Sequence, residues 1–458
     1  VFQKPRTLDF PKKRWFFNFS EECLNERKEK FEAYLTEILT MQPVPLELNY
    51  FLQVTQNIRS NLEAQENGLK RSASMGSLSA ALSIHDFDLI KVLGQGSFGK
   101  VFLVRPHSAP VEEVYAMKAL RKSEVEKRKQ VDHTMAERKI MAMIHSPFIL
   151  RLRYAFQTPH KLYMVTDYCS GGELFFHLKK MRRFSESMMR FYTAELSIAL
   201  DHLHTHHVIY RDMKPENVLL DRFGHVKLTD FGLSKVLFDG HKSIQATTFC
   251  GTPEYLAPEL ILHRRHNSGY SYDVDWWSLG IVAFELLTGW PPFFDKDFDQ
   301  MCEKILRKPI RFPGKYSISM DAQQLIRGFL ERNPASRLGG SRSGGLKVLQ
   351  EHIFFTDTDW EVLARGQCRP PFVPLAGPDP ADTRNFDTEF TKLSVKDGVG
   401  NNDEHTAPSL LDYDGFSFLD DEYRDLINGF HDVGNPGGHF YDHHPNQGED
   451  DADRPSMD

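Results

Sequence analysis

Six residues, Gly94-Gln95-Gly96-Ser97-Phe98-Gly99, constrain this chain more than any other stretch, because of what flanks them. Phe87-Asp88-Leu89-Ile90-Lys91-Val92-Leu93 reads as a strand before them, and Lys100-Val101-Phe102-Leu103-Val104 alternates apolar and polar positions after them. The pattern is strand, turn, strand. A G-x-G-x-x-G turn also marks dinucleotide-binding crossovers, but that turn needs a helix after its last glycine. Here the glycines sit in a hairpin whose backbone can fold over phosphates.

A second stretch, Tyr210 to Glu259, gathers the groups that phosphoryl transfer needs. A hydroxyl is a poor nucleophile at neutral pH, and a carboxylate beside it can orient it and take its proton. Asp212 fits that role. The crowded anionic oxygens of a triphosphate must be offset by cations, so a carboxylate and an amide oxygen should hold magnesium between the phosphates, and Asp230 and Asn217 are the candidates. Lys214, two residues from Asp212, can reach the moving phosphoryl group. Taken singly, an Asp or a Lys is usually a solvated surface residue. Their ordered co-occurrence reverses that weighting.

The 458 residues suffice for about three units, and an apolar content of 40% supports a core. The formal charge of −7 argues against general nucleic-acid binding, although basic runs occur at Lys12-Lys13-Arg14 and Lys127-Arg128-Lys129. Five scattered cysteines, at 23, 169, 250, 302 and 368, suit a reducing compartment and predict no disulfides. No apolar run approaches the roughly 20 residues of a membrane span. Val1 opens neither a signal peptide nor a start-codon product, so the chain reads as a fragment.

Tyr210-Arg211-Asp212-Met213-Lys214-Pro215-Glu216-Asn217, Asp230-Phe231-Gly232 and the run from Thr248 to Glu259 resemble the catalytic loop, metal-binding loop and activation segment of a protein kinase. The Tyr-Arg-Asp opening and Thr248-Phe249-Cys250-Gly251-Thr252-Pro253-Glu254-Tyr255 resemble the AGC branch of serine/threonine kinases. That resemblance implies an α+β, bilobal protein kinase fold with a β-rich small lobe and a helical large lobe. It implies ATP and Mg2+ as cofactors. Gly94, Gln95, Gly96, Ser97, Phe98, Gly99 and Val101 would cover the nucleotide. Lys118, in Val114-Tyr115-Ala116-Met117-Lys118, would meet the α/β-phosphates, with Glu137 of the helical run His133 to Ile140 as its partner. Leu162 to Tyr168 resembles the hinge, with Thr166 at the back of the adenine pocket and Asp167 and Cys169 beside it. Thr252 would brace Asp212 and Lys214. Arg337 resembles the buried partner of Glu259, and Asp273 to Gly280 opens a buried helix anchoring the catalytic loop.

Five units follow from this reading: residues 1–55, 56–84, 85–355, 356–430 and 431–458. The first has a basic aromatic loop, Phe10 to Phe16, then a helix capped at Ser20 with the stripe Leu24, Phe31, Leu35, Ile38 and Leu39. It resembles the C-terminal part of a phox-homology domain, which implies phosphoinositide headgroups on Lys13 and Arg27 and a cytoplasmic, endosome-associated protein. The second, with Arg71-Ser72-Ala73-Ser74, is a serine-rich linker, and the third is the kinase domain. The fourth contains Arg384-Asn385-Phe386-Asp387 and Tyr413-Asp414-Gly415-Phe416-Ser417-Phe418, which resemble the AGC tail and its hydrophobic motif. The last, acidic and bearing His439, His443 and His444, reads as disordered. His202, His204, His206 and His207 read as helix-end packing or solvent exposure rather than a metal site.

The whole resembles most the serum- and glucocorticoid-regulated kinases that carry a phox-homology domain. The likeness implies switches at Thr248 and Ser417, with Ser394 as a turn site. A phosphate on Thr248 would collect Arg211, Lys235 and His133. A phosphoinositide-dependent kinase and a target-of-rapamycin complex would add these groups. Glu173, Glu216 and Glu285 fall where AGC kinases read arginines upstream of the acceptor, which implies Arg-x-Arg-x-x-Ser/Thr substrates. A non-catalytic pseudokinase would normally lack Lys118, Asp212 or Asp230, and all three are present. A lipid-binding adaptor would need a whole phox-homology fold.

Overall fold

The computed structural model describes residues 82–420 except 108, 111, 238–245, 247, 267–268, 375–378, 396–408, 410 and 412. The expectations on Lys13, Arg27, the linker serines and the histidine-bearing tail lie outside the described residues. The second of two compact units begins at Leu82. Ser83 caps the short helix Ile84–Asp86 while Asp86 accepts the Ser83 amide at 2.6 Å, and Leu82 and Ile84 pack on the sheet. The last residues read as linker therefore belong to this unit. Two apolar residues are too few to show a period.

The small lobe is a six-stranded sheet. β1 (Phe87–Gln95), β2 (Gly99–Pro106), β3 (Tyr115–Arg121), β4 (Leu152–Gln157) and β5 (Lys161–Asp167) supply five strands, in the order β1-β2-β3-β5-β4, and a last strand from the tail, introduced below, pairs with β4. The β1–β2 hairpin turns at Gly96, whose amide donates to Gly99 O at 2.9 Å. A side chain at Gly99 could not be tolerated, because its Cβ would stand 1.8 Å from Ala119 O. The sheet buries one cluster containing Phe87, Phe102, Tyr115, Tyr154, Phe156 and Tyr163, in which Phe156 stacks on Tyr163 at 4.8 Å. Between β3 and β4 the chain forms α1 (Lys122–Lys127) and α2 (Val131–Met143).

The large lobe opens with β6 (Gly172–Glu173), α3 (Leu174–Met181) and α4 (Glu186–Thr205), the last capped by Ser185. β7 (Val208–Ile209) pairs with β10 (Lys235–Val236), and β8 (Val218–Leu220) joins β6 to β9 (Val226–Leu228). α5 (Pro258–His266) and α6 (Asp273–Thr288) follow, then α7 (Phe298–Arg307) and α8 (Met320–Phe329). α6 is mostly apolar and is buried from Val274 to Thr288, as expected of a helix at the centre of a lobe, with Asp275 and Glu285 as its buried carboxylates. Trp276 stacks on Phe329 with ring centroids 6.3 Å apart.

The tail returns to the small lobe. Phe386 stacks on Tyr168 at 5.6 Å, Asn385 donates to Ser170 O at 3.1 Å, and Tyr168 donates to Asp382 O at 2.6 Å. β11 (Phe418–Leu419) pairs antiparallel with β4, Phe418 opposite Ala155 and Leu419 opposite Tyr154. Tyr413 and Phe416 are buried beneath it.

Candidate active site

The catalytic loop is hung from one buried carboxylate. Asp275, at the start of α6, accepts the Tyr210 amide at 2.9 Å and the Arg211 amide at 2.8 Å, and His204 Nε2 lies 2.8 Å from it. This holds Arg211 in a left-handed conformation, with φ at 72°, which a non-glycine residue adopts only under such constraint. His204 is thus a packing partner at a helix end. Among the described residues no group of three His, Cys, Asp or Glu could hold a metal.

Four side chains converge from that loop and the activation segment. Lys214 donates to Asp212 Oδ2 at 2.7 Å and to Thr252 Oγ1 at 2.9 Å, and Thr252 donates to Asp212 Oδ1 at 2.8 Å. The Asn217 amide nitrogen donates to Asp212 Oδ2 at 2.8 Å and to its carbonyl at 2.9 Å. Both Asp212 oxygens are fixed. That orientation of Asn217 leaves its carbonyl oxygen, the atom able to ligate a cation, uncommitted to Asp212. Asp230 is exposed, with φ at 58°, while its neighbour Phe231 is buried edge-on to Tyr210 at 5.5 Å. A carboxylate and an amide oxygen are hard donors suited to magnesium.

The phosphate-facing side is equally organised. Lys118 Nζ lies 2.7 Å from Glu137 Oε1, joining β3 to α2. Burial alone would lower the pKa of Lys118, but Glu137 and Asp230 more than offset it, and the ammonium is held above its ordinary value. Val101 stands between Gly94 and Lys118 in the sheet register. A Cβ at Gly94 or Gly96 would meet nothing within 4 Å, so no packing in the protein requires glycine there. The open space suits a phosphate cradle. Phe98 lies under the Arg128 guanidinium at 5.1 Å. Thr166 is buried with Oγ1 3.4 Å from Ala116 O, Asp167 ends β5, and Cys169 is buried, its thiol pushed up by that burial.

Carboxylates crowd beside the catalytic loop. Glu285 is buried and accepts the Tyr255 hydroxyl at 2.6 Å, and Glu216 Oε2 is buried without a partner. Burial, reinforced by Glu216 and Glu254, pushes Glu285 up to about 7 against the opposing bond from Tyr255. Burial and then Glu216 raise Glu173. Burial also raises Glu216, with Asp212 and Glu254 adding to it. Lys214 opposes that rise at Glu216.

Two of the residues expected around Thr248, Arg211 and His133, have other partners. Thr248 is exposed. Arg211 donates to Leu233 O at 2.5 Å and to the Tyr270 hydroxyl at 2.9 Å, and His133 Nδ1 lies 2.7 Å from Gln130 Oε1. Lys235 sits in β10, paired with Ile209. Ser417 is half-buried, and Ser394 is exposed. Sequence reasoning missed Tyr270, which donates to Thr248 O at 2.6 Å, and Arg138, which donates to Phe416 O at 2.8 Å and Ser417 O at 2.6 Å. It also missed Lys122, whose ammonium lies 4.8 Å from the Tyr413 ring centroid, and Glu126, 3.3 Å from its hydroxyl. A tyrosine at that pocket, with a polar tip needing a partner, was the available signal.

The protein kinase domain profile matches residues 87–355, more than half of the chain, and the PX domain profile matches residues 3–55. The chain is 41% identical over 437 residues to "Serine/threonine-protein kinase YPK1" of Saccharomyces cerevisiae, covering 92% of this chain and 61% of that protein. It is 46% identical over 321 residues to "Serine/threonine-protein kinase gad8" of Schizosaccharomyces pombe, covering 70% and 54%. It is 47% identical over 334 residues to "Ribosomal protein S6 kinase alpha-6" of Homo sapiens, covering 73% and 43%. The chain spans about three fifths of the length of the first of these relatives. With the kinase profile matched from the glycine hairpin to the end of the helical lobe, and with these relatives, the chain belongs to the protein kinase family, in its AGC branch, and carries a PX segment before the kinase domain.

Proposed function

We propose that this chain transfers the γ-phosphoryl group of ATP to serine or threonine in proteins with arginines upstream of the acceptor. The observation that carries this is the fixed Asp212 carboxylate, bonded by Lys214, Thr252 and Asn217 at 2.7–2.9 Å. In this reading Asp212 orients the acceptor hydroxyl and takes its proton, while Lys214 faces the charge that develops on the transferred group. Lys118, held charged by Glu137, meets the α/β-phosphates under the hairpin. Asp230 and Asn217 would hold magnesium, which when bound neutralises phosphate charge.

The crowded carboxylates select the peptide. Glu173 would read the arginine three residues before the acceptor, and Glu216 or Glu285 would assist with it or the farther one. A guanidinium entering there meets three carboxylates raised by burial, of which Glu216 alone has a nearby lysine, Lys214, and a charge-assisted fork gains in such a setting. Phosphates on Thr248 and Ser417 would raise activity, added by a phosphoinositide-dependent kinase and a target-of-rapamycin complex. Ser394 would be a third modified site. The PX segment would bring the chain to phosphoinositide membranes of endosomes.

ATP-dependent labelling of an Arg-x-Arg-x-x-Ser peptide, lost in Asp230→Ala, tests the activity. Preference of the wild type for acidic or proline-directed peptides, or an arginine preference that survives Glu173→Arg, would overturn the specificity.

A further inference from the structure

A chain of ionic contacts joins the end of the tail to the hinge. Asp420 directly follows β11, has 3% of its surface exposed, and donates its amide to Arg153 O at 3.0 Å. Its carboxylate accepts Arg151 Nη2 at 2.8 Å, has Arg151 Nε in ionic contact at 2.6 Å, and accepts Arg153 Nη1 at 3.4 Å. Arg153 turns its Nε to Asp167 Oδ1 at 2.6 Å. Asp167 ends β5 where the strand becomes the hinge, and its amide is held by Arg151 O at 3.2 Å.

Two of these carboxylates differ in how they are supplied. Asp167 belongs to the sheet, whereas Asp420 arrives only when β11 lies on β4. With both in place, Arg153 is forked between them, and a planar guanidinium held at both edges has one orientation. When the tail leaves, Arg151 and Arg153 lose the carboxylate they share, and the bond from Arg153 to Asp167 loses its second anchor. The side chain of Asp167 then keeps its arginine without the anchor that Asp420 supplies, while its backbone stays paired with Tyr115. A different contact serves the other route from the tail: Arg138 binds the carbonyls of Phe416 and Ser417 and stands next to Glu137 on α2.

We propose that Asp420 is a positioning residue for the nucleotide, fixing the hinge through Arg153 and Asp167, so that docking of β11 sets the affinity for ATP while Phe416 and Arg138 set turnover. This rests on the reading of the cleft as an ATP site. Coupling through such a link falls within the range seen between sites in one fold, and on the order of fivefold in affinity is expected.

The test uses the full chain, with Mg-ATP binding measured by calorimetry and with kcat and KM for ATP measured on the arginine peptide. Asp420→Asn should raise the Kd and KM for ATP about fivefold with kcat little changed. Arg153→Gln should do the same, and the double substitution should add nothing. Arg153→Lys keeps the charge but not the fork, and it should match Arg153→Gln, which separates loss of the relay from a general loss of charge or of folding. Phe416→Ala should lower kcat instead. Wild-type binding together with an unchanged Kd in Asp420→Asn overturns the relay alone, as do additive effects in the double variant. Failure of the wild type to bind Mg-ATP overturns the relay and the nucleotide site together.

Discussion

Arg211 donates to the Tyr270 hydroxyl at 2.9 Å, and through that hydroxyl, which donates to Thr248 O at 2.6 Å, the catalytic loop holds the activation segment without any phosphate. A phosphate on Thr248 would compete for the same guanidinium with nearly two negative charges. We expect Tyr270→Phe to lower the activity of the unphosphorylated chain and to leave the phosphorylated chain near wild type. Thr248→Ala should cost at least about tenfold in kcat/KM, equivalent to about 1.4 kcal/mol. Full turnover by an unphosphorylated enzyme would remove Thr248 as a switch.

Glu285 gives a pH dependence with a definite sign. Its carboxyl, pushed up to about 7 from an ordinary value near 4.5, keeps a proton in the folded state that the unfolded chain has released. Stability contributed by this group therefore falls as pH rises from about 4.5 to 7. An arginine peptide needs the ionised form, so its KM should fall as pH rises through about 7 and level off above. Glu285→Gln should flatten both profiles. Superimposable KM profiles for wild type and variant would exclude Glu285 from peptide binding.

Thr166 is buried beside Ala116 O with a short side chain. If Thr166 lines the back of the adenine pocket, its short side chain leaves room that Met or Leu would fill, and inhibitors with a bulky aryl group should enter it. Thr166→Met should weaken such compounds much more than it weakens ATP. Equal inhibition constants before and after the change would show that Thr166 does not line the pocket.

Arg337 is fully buried and forked onto Glu259, Nη1 to Oε1 at 2.5 Å and Nη2 to Oε2 at 2.9 Å. Arg337→Ala would strand a carboxylate at the join of α5 to the rest of the lobe, and breaking such a buried pair costs about 3–5 kcal/mol. Chemical denaturation should show that loss. Replacing both partners with apolar residues of similar volume should cost far less.

The site was legible where chemistry ties residue types to short spacings. Asp212, Lys214 and Asn217 lie within one loop, and Lys118 and Glu137 sit on a strand and a helix whose periods are visible. What escaped notice depends on contacts across long separations. Arg138 meets Phe416 from 278 positions away, and Tyr413 meets Glu126 from 287. No spacing rule reaches so far. Glu285 shows the opposite difficulty: an isolated glutamate reads as a surface charge, yet the packing of α6 buries it and Tyr255 supplies its bond. Arg211 and His133 are expected to meet a Thr248 phosphate, but Leu233, Tyr270 and Gln130 hold them in the structure described, and composition has no term for that competition.

The pairing of β11 with β4 has a consequence for how this protein behaves in a crowd. β4 has β5 on one side only, so without the tail its other side would present a row of unpaired amides and carbonyls, a template for any extended chain that passes. The segment that covers it is short and is held by Arg138, Arg151 and Arg153 rather than by a long ladder. Whatever releases the tail also bares an adhesive border, and the molecule with its tail released is the form most prone to self-association.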